Sequence, residues 1–351
     1  MQTRPLGRTG LQVSAICLGT MTFGQQNSEA EGHAQMDYAV SRGVTFFDTA
    51  EMYSVPPKPE TYGATERIVG SWLKRRGRRD DIVIATKIAG AGPMDWLRAD
   101  RRPTRLDRRQ MTEALDNSLK RLGTDYIDLY QLHWPDRPAP FGANPTRFEA
   151  DLWAPRPDET PIAEQLSVLA DFVAAGKVRH VGLSNESAWG IMSFLAASDR
   201  HGHPRVQSVQ NAYHLLNRTF ETALAEVALR EQVGLLAYSP LAQGFLTGKY
   251  LDGARPPGAR VTLFDRQQRY QKPGAEAAIR DYLGIAREAG MDGATLAIAF
   301  VASRSFVTST IIGATSLEQL KIAIDAGTRI LPADVLAKVD AVHQLRGNPS
   351  P

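Results

Sequence analysis

Val44-Thr45-Phe46-Phe47 reads as a short β-strand of β-branched and aromatic residues, and Asp48 follows directly at its end. A helical pattern precedes it at residues 30–41 and another follows at 65–75. The same alternation extends outward in both directions. Strands are expected at 15–18, 44–47, 82–86, 127–132, 178–183, 208–210, 234–237 and 310–312. Helices are expected at 30–41, 65–75, 108–122, 161–174, 188–201, 219–232, 275–289 and 316–326. Continuous β-branched or aromatic strands, each followed by a helix, belong to a parallel sheet covered by helices. Eight such units predict an α/β fold of the closed (β/α)8 type, a TIM barrel, in preference to an open doubly wound sheet.

A barrel of this kind needs roughly 250 residues, and the chain has 351. The surplus falls mainly after expected strands, at 54–62, 90–105, 134–160 and 250–271. All four insertions should therefore be long loops on the C-terminal face, where barrel enzymes keep their sites. The opening stretch 4–13, with Thr9-Gly10 at its centre, predicts a β-hairpin capping the opposite end. A last helix at 332–344 should pack outside. No repeat or linker divides the chain, so residues 1–351 are expected to form one domain.

The 41 Lys and Arg against 38 Asp and Glu leave a net charge of only +3, which gives no ground for nucleic-acid binding. Basic runs at Lys74-Arg75-Arg76-Gly77-Arg78-Arg79 and at 98–109 are interrupted by aspartates and read as solvated helix ends and loops. The single cysteine, Cys17, excludes an internal disulfide and lies in the apolar run Ala15-Ile16-Cys17-Leu18, so it reads as a buried core thiol in a reducing compartment. No apolar run approaches the roughly 18 residues of a membrane span, and the N-terminus shows no apolar signal core. The expectation is a cytoplasmic protein, monomer or homo-oligomer, with neither membrane nor nucleic acid as partner. His201-Gly202-His203 lacks a third ligand at metal spacing, so no metal is expected.

Three ionisable residues lie at or just past expected strand ends: Asp48, Lys87 and His133. Tyr53 follows in Asp48-Thr49-Ala50-Glu51-Met52-Tyr53. Each alone has a structural explanation, as helix cap, rim charge or core histidine. Together, at the ends of the second, third and fourth barrel strands, they converge on one pocket. Reducing an aldehyde or ketone needs a hydride at carbon and a proton at oxygen. A tyrosine can give the proton, although its free pKa near 10 makes it weak at neutral pH. A neighbouring Lys⁺ should lower that pKa. Asp48 would compensate the lysine, and His133 would orient the substrate oxygen. No side chain supplies a hydride, so a cofactor must.

No Gly-x-Gly-x-x-Gly follows a strand, so a Rossmann fingerprint is absent. Ser316 and Gln319, in Gly313-Ala314-Thr315-Ser316-Leu317-Glu318-Gln319, have the spacing of a capping box after the last strand. A helix start there would attract phosphate, although an ordinary capped helix explains the same residues.

The chain resembles an aldo-keto reductase over essentially its full length and, within that superfamily, is similar to the bacterial Tas-type reductases. The resemblance rests on Leu18-Gly19-Thr20-Met21-Thr22-Phe23-Gly24, Phe47-Asp48-Thr49-Ala50-Glu51-Met52-Tyr53, Leu122-Gly123-Thr124-Asp125-Tyr126-Ile127-Asp128-Leu129-Tyr130-Gln131-Leu132-His133, Gly182-Leu183-Ser184-Asn185 and Tyr238-Ser239-Pro240-Leu241-Ala242-Gln243-Gly244. It implies an NADP(H)-dependent reductase of small carbonyl compounds, with Asp48, Tyr53, Lys87 and His133 as the catalytic tetrad and Tyr53 as general acid. It also implies that Ser184, Asn185 and Gln210 hold the nicotinamide carboxamide and that Tyr238 stacks on its ring. Ser239, Pro240, Leu241 and Gln243 would follow the pyrophosphate, with Lys249 and Arg260 near the adenosine phosphates. Gly313, Thr315 and Gln319 would close over the adenosine, and Thr20 would also touch the cofactor. Ala323 stands where relatives often carry an asparagine for adenine, so that contact is not expected.

Phe23, Trp96, Trp134, Phe141 and Trp153 are expected on the rim, where aromatic walls suit a hydrophobic carbonyl; they would equally suit packing of the insertions themselves. Two rival readings stand beside the reductase. One is an NADP(H)-binding redox sensor with little turnover, a use of the fold shown by the related channel β subunits, which lack the histidine present here at 133. The other is an aldolase that uses Lys87 as a Schiff-base nucleophile.

Overall fold

The computed structural model describes residues 1–139, 149–150, 153–265 and 268–351. Strands β1 (Thr3–Pro5) and β2 (Gln12–Ser14) pair antiparallel with Thr3 opposite Ser14. The turn between them closes through Leu6 N–H donating to Leu11 O at 2.9 Å. Next come β3 (Ile16–Gly19), β4 (Phe46–Asp48), β5 (Val83–Ile88), β6 (Ile127–Leu132), β7 (Val178–Ser184), β8 (Val206–Ala212), β9 (Gly234–Tyr238) and β10 (Val307–Ile312). Each pairs in parallel with the next, and β10 returns to β3, so the eight strands close into a barrel. The fold is the expected TIM barrel with its hairpin.

Helices α1 (Glu29–Ser41), α2 (Ala64–Arg76), α3 (Arg108–Leu122), α4 (Ile162–Ala174), α5 (Ala188–His201) and α6 (Leu224–Arg230) cover the strands in turn. Then follow α7 (Arg260–Phe264), α8 (Ala275–Glu288), α9 (Gly293–Ala302), α10 (Leu317–Ala326) and the outer α11 (Ala333–Arg346). Their ends carry local chemistry that fixes them. Ser28 caps α1 through a complete capping box with Glu31, and Asp107 accepts from Gln110 N–H at the start of α3. Two departures from expectation stand out. The stretch 219–232 divides into a 3-10 turn, Thr219–Glu221, and the short α6. Helix α9 was not expected at all: it is buried on every side from Leu296 to Ala302, so it has no polar face to show a helical period.

A period of two along each strand sends alternate side chains into the barrel. Cys17, Phe46, Val83, Ala85, Leu129, Leu236 and Ile311 form an inner apolar cluster, joined from below by Leu6 and Val13 of the hairpin. Arg8 N–H donates to Gln207 Oε1 at 2.9 Å, and Arg4 donates to the carbonyls of Ala302 and Val307, so the hairpin is pinned to the N-terminal strand ends. The four insertions leave from the opposite ends, after β4, β5, β6 and β9. The basic runs are largely paired: Arg75 with Asp37, Arg76 with Asp81, Arg105 with Asp136 and Arg108 with Asp171. Among the described residues no helix is long and apolar enough to cross a membrane.

Candidate active site

One repeat above the apolar layer the inward positions turn polar. Asp48 follows Phe46 on β4, Lys87 follows Ala85 on β5, and Gln131 follows Leu129 on β6 with His133 just beyond. Lys87 is fully buried; its Nζ donates to Asp48 Oδ2 at 2.6 Å and to the Thr49 carbonyl at 2.7 Å. The second carboxylate oxygen, Asp48 Oδ1, accepts from Gln210 Nε2 at 2.8 Å and Gln131 Nε2 at 3.2 Å. A buried ion pair is tolerable only when its remaining hydrogen-bonding capacity is met in this way. Burial opposes the Lys87 cation, but Asp48 and then Tyr53 outweigh it and hold the ammonium above its ordinary pKa.

Tyr53 lies on the turn after β4, its ring centroid 4.9 Å from Lys87 Nζ. Sequence reasoning expected Lys87 to acidify this phenol. The lysine does pull that way, but burial is the larger effect and the phenol stands above its ordinary value. His133 meets Tyr53 edge-on with centroids 5.6 Å apart. Burial first, and the Lys87 charge second, push its imidazole well below the ordinary value, so the ring is neutral at pH 7. His133 Nδ1 is buried with no hydrogen-bond partner among the described residues.

Ser184, Asn185, Gln210 and Tyr238 gather at the ends of β7, β8 and β9. Ser184 Oγ donates to the Gln210 carbonyl at 2.8 Å, Asn185 Nδ2 to the His133 carbonyl at 2.8 Å, and Tyr238 OH to Asn185 Oδ1 at 2.7 Å. After Tyr238 the chain coils tightly through Pro240 and Leu241, with Ser239, Ala242 and Gln243 all left-handed at φ 58°, 46° and 55°. Gln243 Oε1 is buried without a partner among the described residues. Further along this loop partial desolvation, and then the nearby Arg260 charge, push Lys249 below its ordinary pKa.

At α10 the cap is half as expected. Ser316 Oγ accepts from Gln319 N–H at 3.2 Å, but Gln319 Oε1 reaches back to Thr315, accepting from its N–H and hydroxyl at 3.1 Å each. Gly313 is exposed beside it, and Ala323 is buried in the core. Thr20 is fully buried, and its hydroxyl donates to the Asp48 carbonyl at 3.0 Å, so its visible work is to hold the strand end that carries the aspartate.

The aromatic residues divide. Phe23 is fully buried against Gly32 of α1 and serves the core, so the substrate wall loses it. Trp134 lies 4.9 Å from the His133 ring and donates Nε1 to Ala91 O at 2.8 Å. Trp96 packs on Tyr62, 5.6 Å between centroids. Trp153 and Arg269 line a cavity of about 180 Å³ beside Asn185 and Tyr238. Phe141 lies outside the described residues. Sequence reasoning missed Gln131, Thr49, Glu51 and Arg98. Gln131 was within reach, because it shares the inward register of Leu129 and His133. The buried, ion-paired and charged state of Lys87 also removes the main support for an aldolase, which needs a neutral, accessible amine.

The Aldo/keto reductase family matches residues 15–344 of this chain. The chain belongs to the aldo-keto reductases. It is 48% identical to Protein tas of Escherichia coli over the whole of both chains. It is 31% identical to the uncharacterized oxidoreductase YrpG of Bacillus subtilis, covering 100% of this chain and 98% of that one. It is also 33% identical to a probable voltage-gated potassium channel subunit beta of Arabidopsis thaliana, over 98% and 97% of the two chains. Membership makes this barrel an oxidoreductase of that family acting on a small-molecule substrate.

Proposed function

We propose that this aldo-keto reductase uses NADPH to reduce small aldehydes or ketones to alcohols, with Tyr53 as the proton donor. The observation that carries the reading is the placement of a protonated phenol between a buried ammonium and a neutral imidazole. An acid must hold its proton before the reaction and release it during it. The raised ground-state pKa of Tyr53 provides the first, and Lys87, 4.9 Å from the ring, favours the phenolate left by the second. Asp48 keeps Lys87 charged, and Gln131 and Gln210 keep Asp48 in place. His133 remains uncharged and orients the carbonyl oxygen towards the phenol. Trp134, and Trp96 by way of its loop, would wall the substrate.

The residues present fit a phosphorylated dinucleotide. Gln243 Oε1 is a buried acceptor without a partner among the described residues, which a ribose hydroxyl of such a group could satisfy, and Lys249, held below its ordinary pKa by partial desolvation and then by the Arg260 charge, would be relieved by a phosphate nearby. Ser184, Asn185 and Gln210 would hold the carboxamide, with Tyr238 against the ring. Ser239, Pro240, Leu241 and Gln243 would line the pyrophosphate, and Gly313, Thr315 and Gln319 the adenosine end. When bound, the cofactor supplies the hydride that no side chain can.

A regulatory reading, in which the chain binds NADP(H) without turnover, draws on the channel-subunit name of one relative. The assembled Tyr53–His133 pair favours the reductase. Following NADPH absorbance across aldehydes, ketones and dicarbonyls decides between them. Turnover with any member supports reduction; tight NADPH binding with no loss of absorbance across the panel supports the regulatory role.

A further inference from the structure

Glu51 stands between Asp48 and Tyr53, and the reaction just described makes no use of it. Its carboxylate is nearly inaccessible, with the side chain 3% exposed, and it is gripped by Arg98, whose side chain is 0% exposed. Arg98 Nη1 donates to Glu51 Oε2 at 2.8 Å and Nη2 to Oε1 at 2.9 Å, the two parallel bonds that only a guanidinium can make. Arg98 Nε is held in turn by Gln110 Oε1 of α3 at 3.0 Å.

Glu51 is tied to β5 as well. Its N–H donates to the Lys87 carbonyl at 3.1 Å, and its Oε1 accepts from Ala89 N–H at 2.8 Å. The turn that presents the phenol is therefore fastened on one side to the strand end that presents the ammonium. On the other side it is fastened to the insertion 90–105, which also carries Trp96. A fully desolvated ion pair is a weak device for stability, since well-packed apolar residues of similar volume often serve as well or better. Its two-bond geometry fixes orientation instead.

We propose that Glu51 and Arg98 are positioning residues, which set the Tyr53 phenol against Lys87 and couple that setting to the loop 90–105. The inference rests on the reading of Tyr53 as proton donor. A misplacement of about 1 Å costs on the order of a hundredfold in rate, so a pair that touches no reacting atom can still govern it.

The test uses the full chain and the double variant Glu51→Gln with Arg98→Met, which leaves no unpaired buried charge. Its kcat for a carbonyl accepted by the wild type is expected to fall about a hundredfold, with NADPH affinity within a few fold and Tm unchanged or raised. Arg98→Lys keeps the charge but not the paired geometry, and is expected to lose roughly tenfold in kcat. It also serves should the double variant not fold. A second readout needs no turnover. With tyrosines labelled with carbon-13 at Cζ, the Tyr53 resonance is identified by its loss in Tyr53→Phe, and it should move or split in both variants. A folded variant with wild-type kcat and an unmoved Tyr53 resonance overturns the proposal. So does a loss of kcat that merely tracks a fall in Tm or in NADPH affinity. If the wild type reduces no carbonyl at all, the proposed function fails, while the Tyr53 resonance still decides whether the pair sets the phenol.

Discussion

The ring of Tyr53 stands edge-on to the imidazole of His133, with planes at 79° and centroids 5.6 Å apart. One ring keeps its proton through neutral pH and the other stays neutral, which accords with the proposed role of Tyr53 as proton donor. Tyr53→Phe is expected to abolish carbonyl reduction while leaving NADPH affinity within a few fold, as steady-state kinetics and fluorescence titration would read. Wild-type activity should decline only above the ordinary phenol range of about pH 10, because the folded phenol lies above it. A comparable kcat in the mutant would remove Tyr53 from the mechanism.

Removing Lys87 should damage both stability and rate. Lys87→Met leaves the Asp48 carboxylate buried with only the Gln131 and Gln210 amides, and stranding a buried charge costs about 3–5 kcal/mol. Urea unfolding measures that loss. Adding Tyr53→Phe should then lower kcat little further, since the two residues act as one unit. Additive losses would show that they act apart.

Acid stability should be limited by buried histidines. His133 lies well below its ordinary value, and burial, with Arg269, pushes His214 down to about 3. The unfolded chain takes up protons near the ordinary histidine pKa of about 6.5 while these folded rings do not, so stability is full above that pH and declines below it. Each such group contributes about 1.4 kcal/mol per pH unit well below 6.5. His214→Gln should flatten the slope of unfolding free energy between pH 6.5 and 5, read by urea titration at several pH values. An unchanged slope would contradict the burial argument.

NADPH is expected to bind more tightly than NADH, with Lys249 and Arg260 responsible. The Arg260 charge helps hold Lys249 below its ordinary pKa, which a 2′-phosphate would offset, and each charge-assisted contact is worth about 1.5–3 kcal/mol, roughly ten- to a hundredfold in affinity. Arg260→Ala should weaken NADPH and leave NADH nearly unchanged in fluorescence titrations. Equal loss for both would place the 2′-phosphate elsewhere.

The strands, and the placing of Asp48, Lys87 and His133 at their ends, were legible because each depends on local pattern. A run such as 44–47 announces its strand, and a charge at its end announces the mouth. What escaped depends on tertiary context. Helix α9 is apolar all round and shows no period. Phe23 looked like a wall residue, yet Gly32 leaves the space that lets it turn into the core. Glu51 and Arg98 lie far apart in sequence, and neither shows its partner until the chain is folded. The pKa of Tyr53 needed two opposed effects to be weighed, and sequence supplied only the smaller one.

The hairpin at the N-terminal end has a kinetic corollary. With Leu6 and Val13 packed beneath Cys17 and Phe46, the described residues close the floor of the barrel. On the proposed function, cofactor and substrate would both enter from the rim. Were one of them to lie beneath the other, it would have to arrive first and depart last, because the floor offers it no exit.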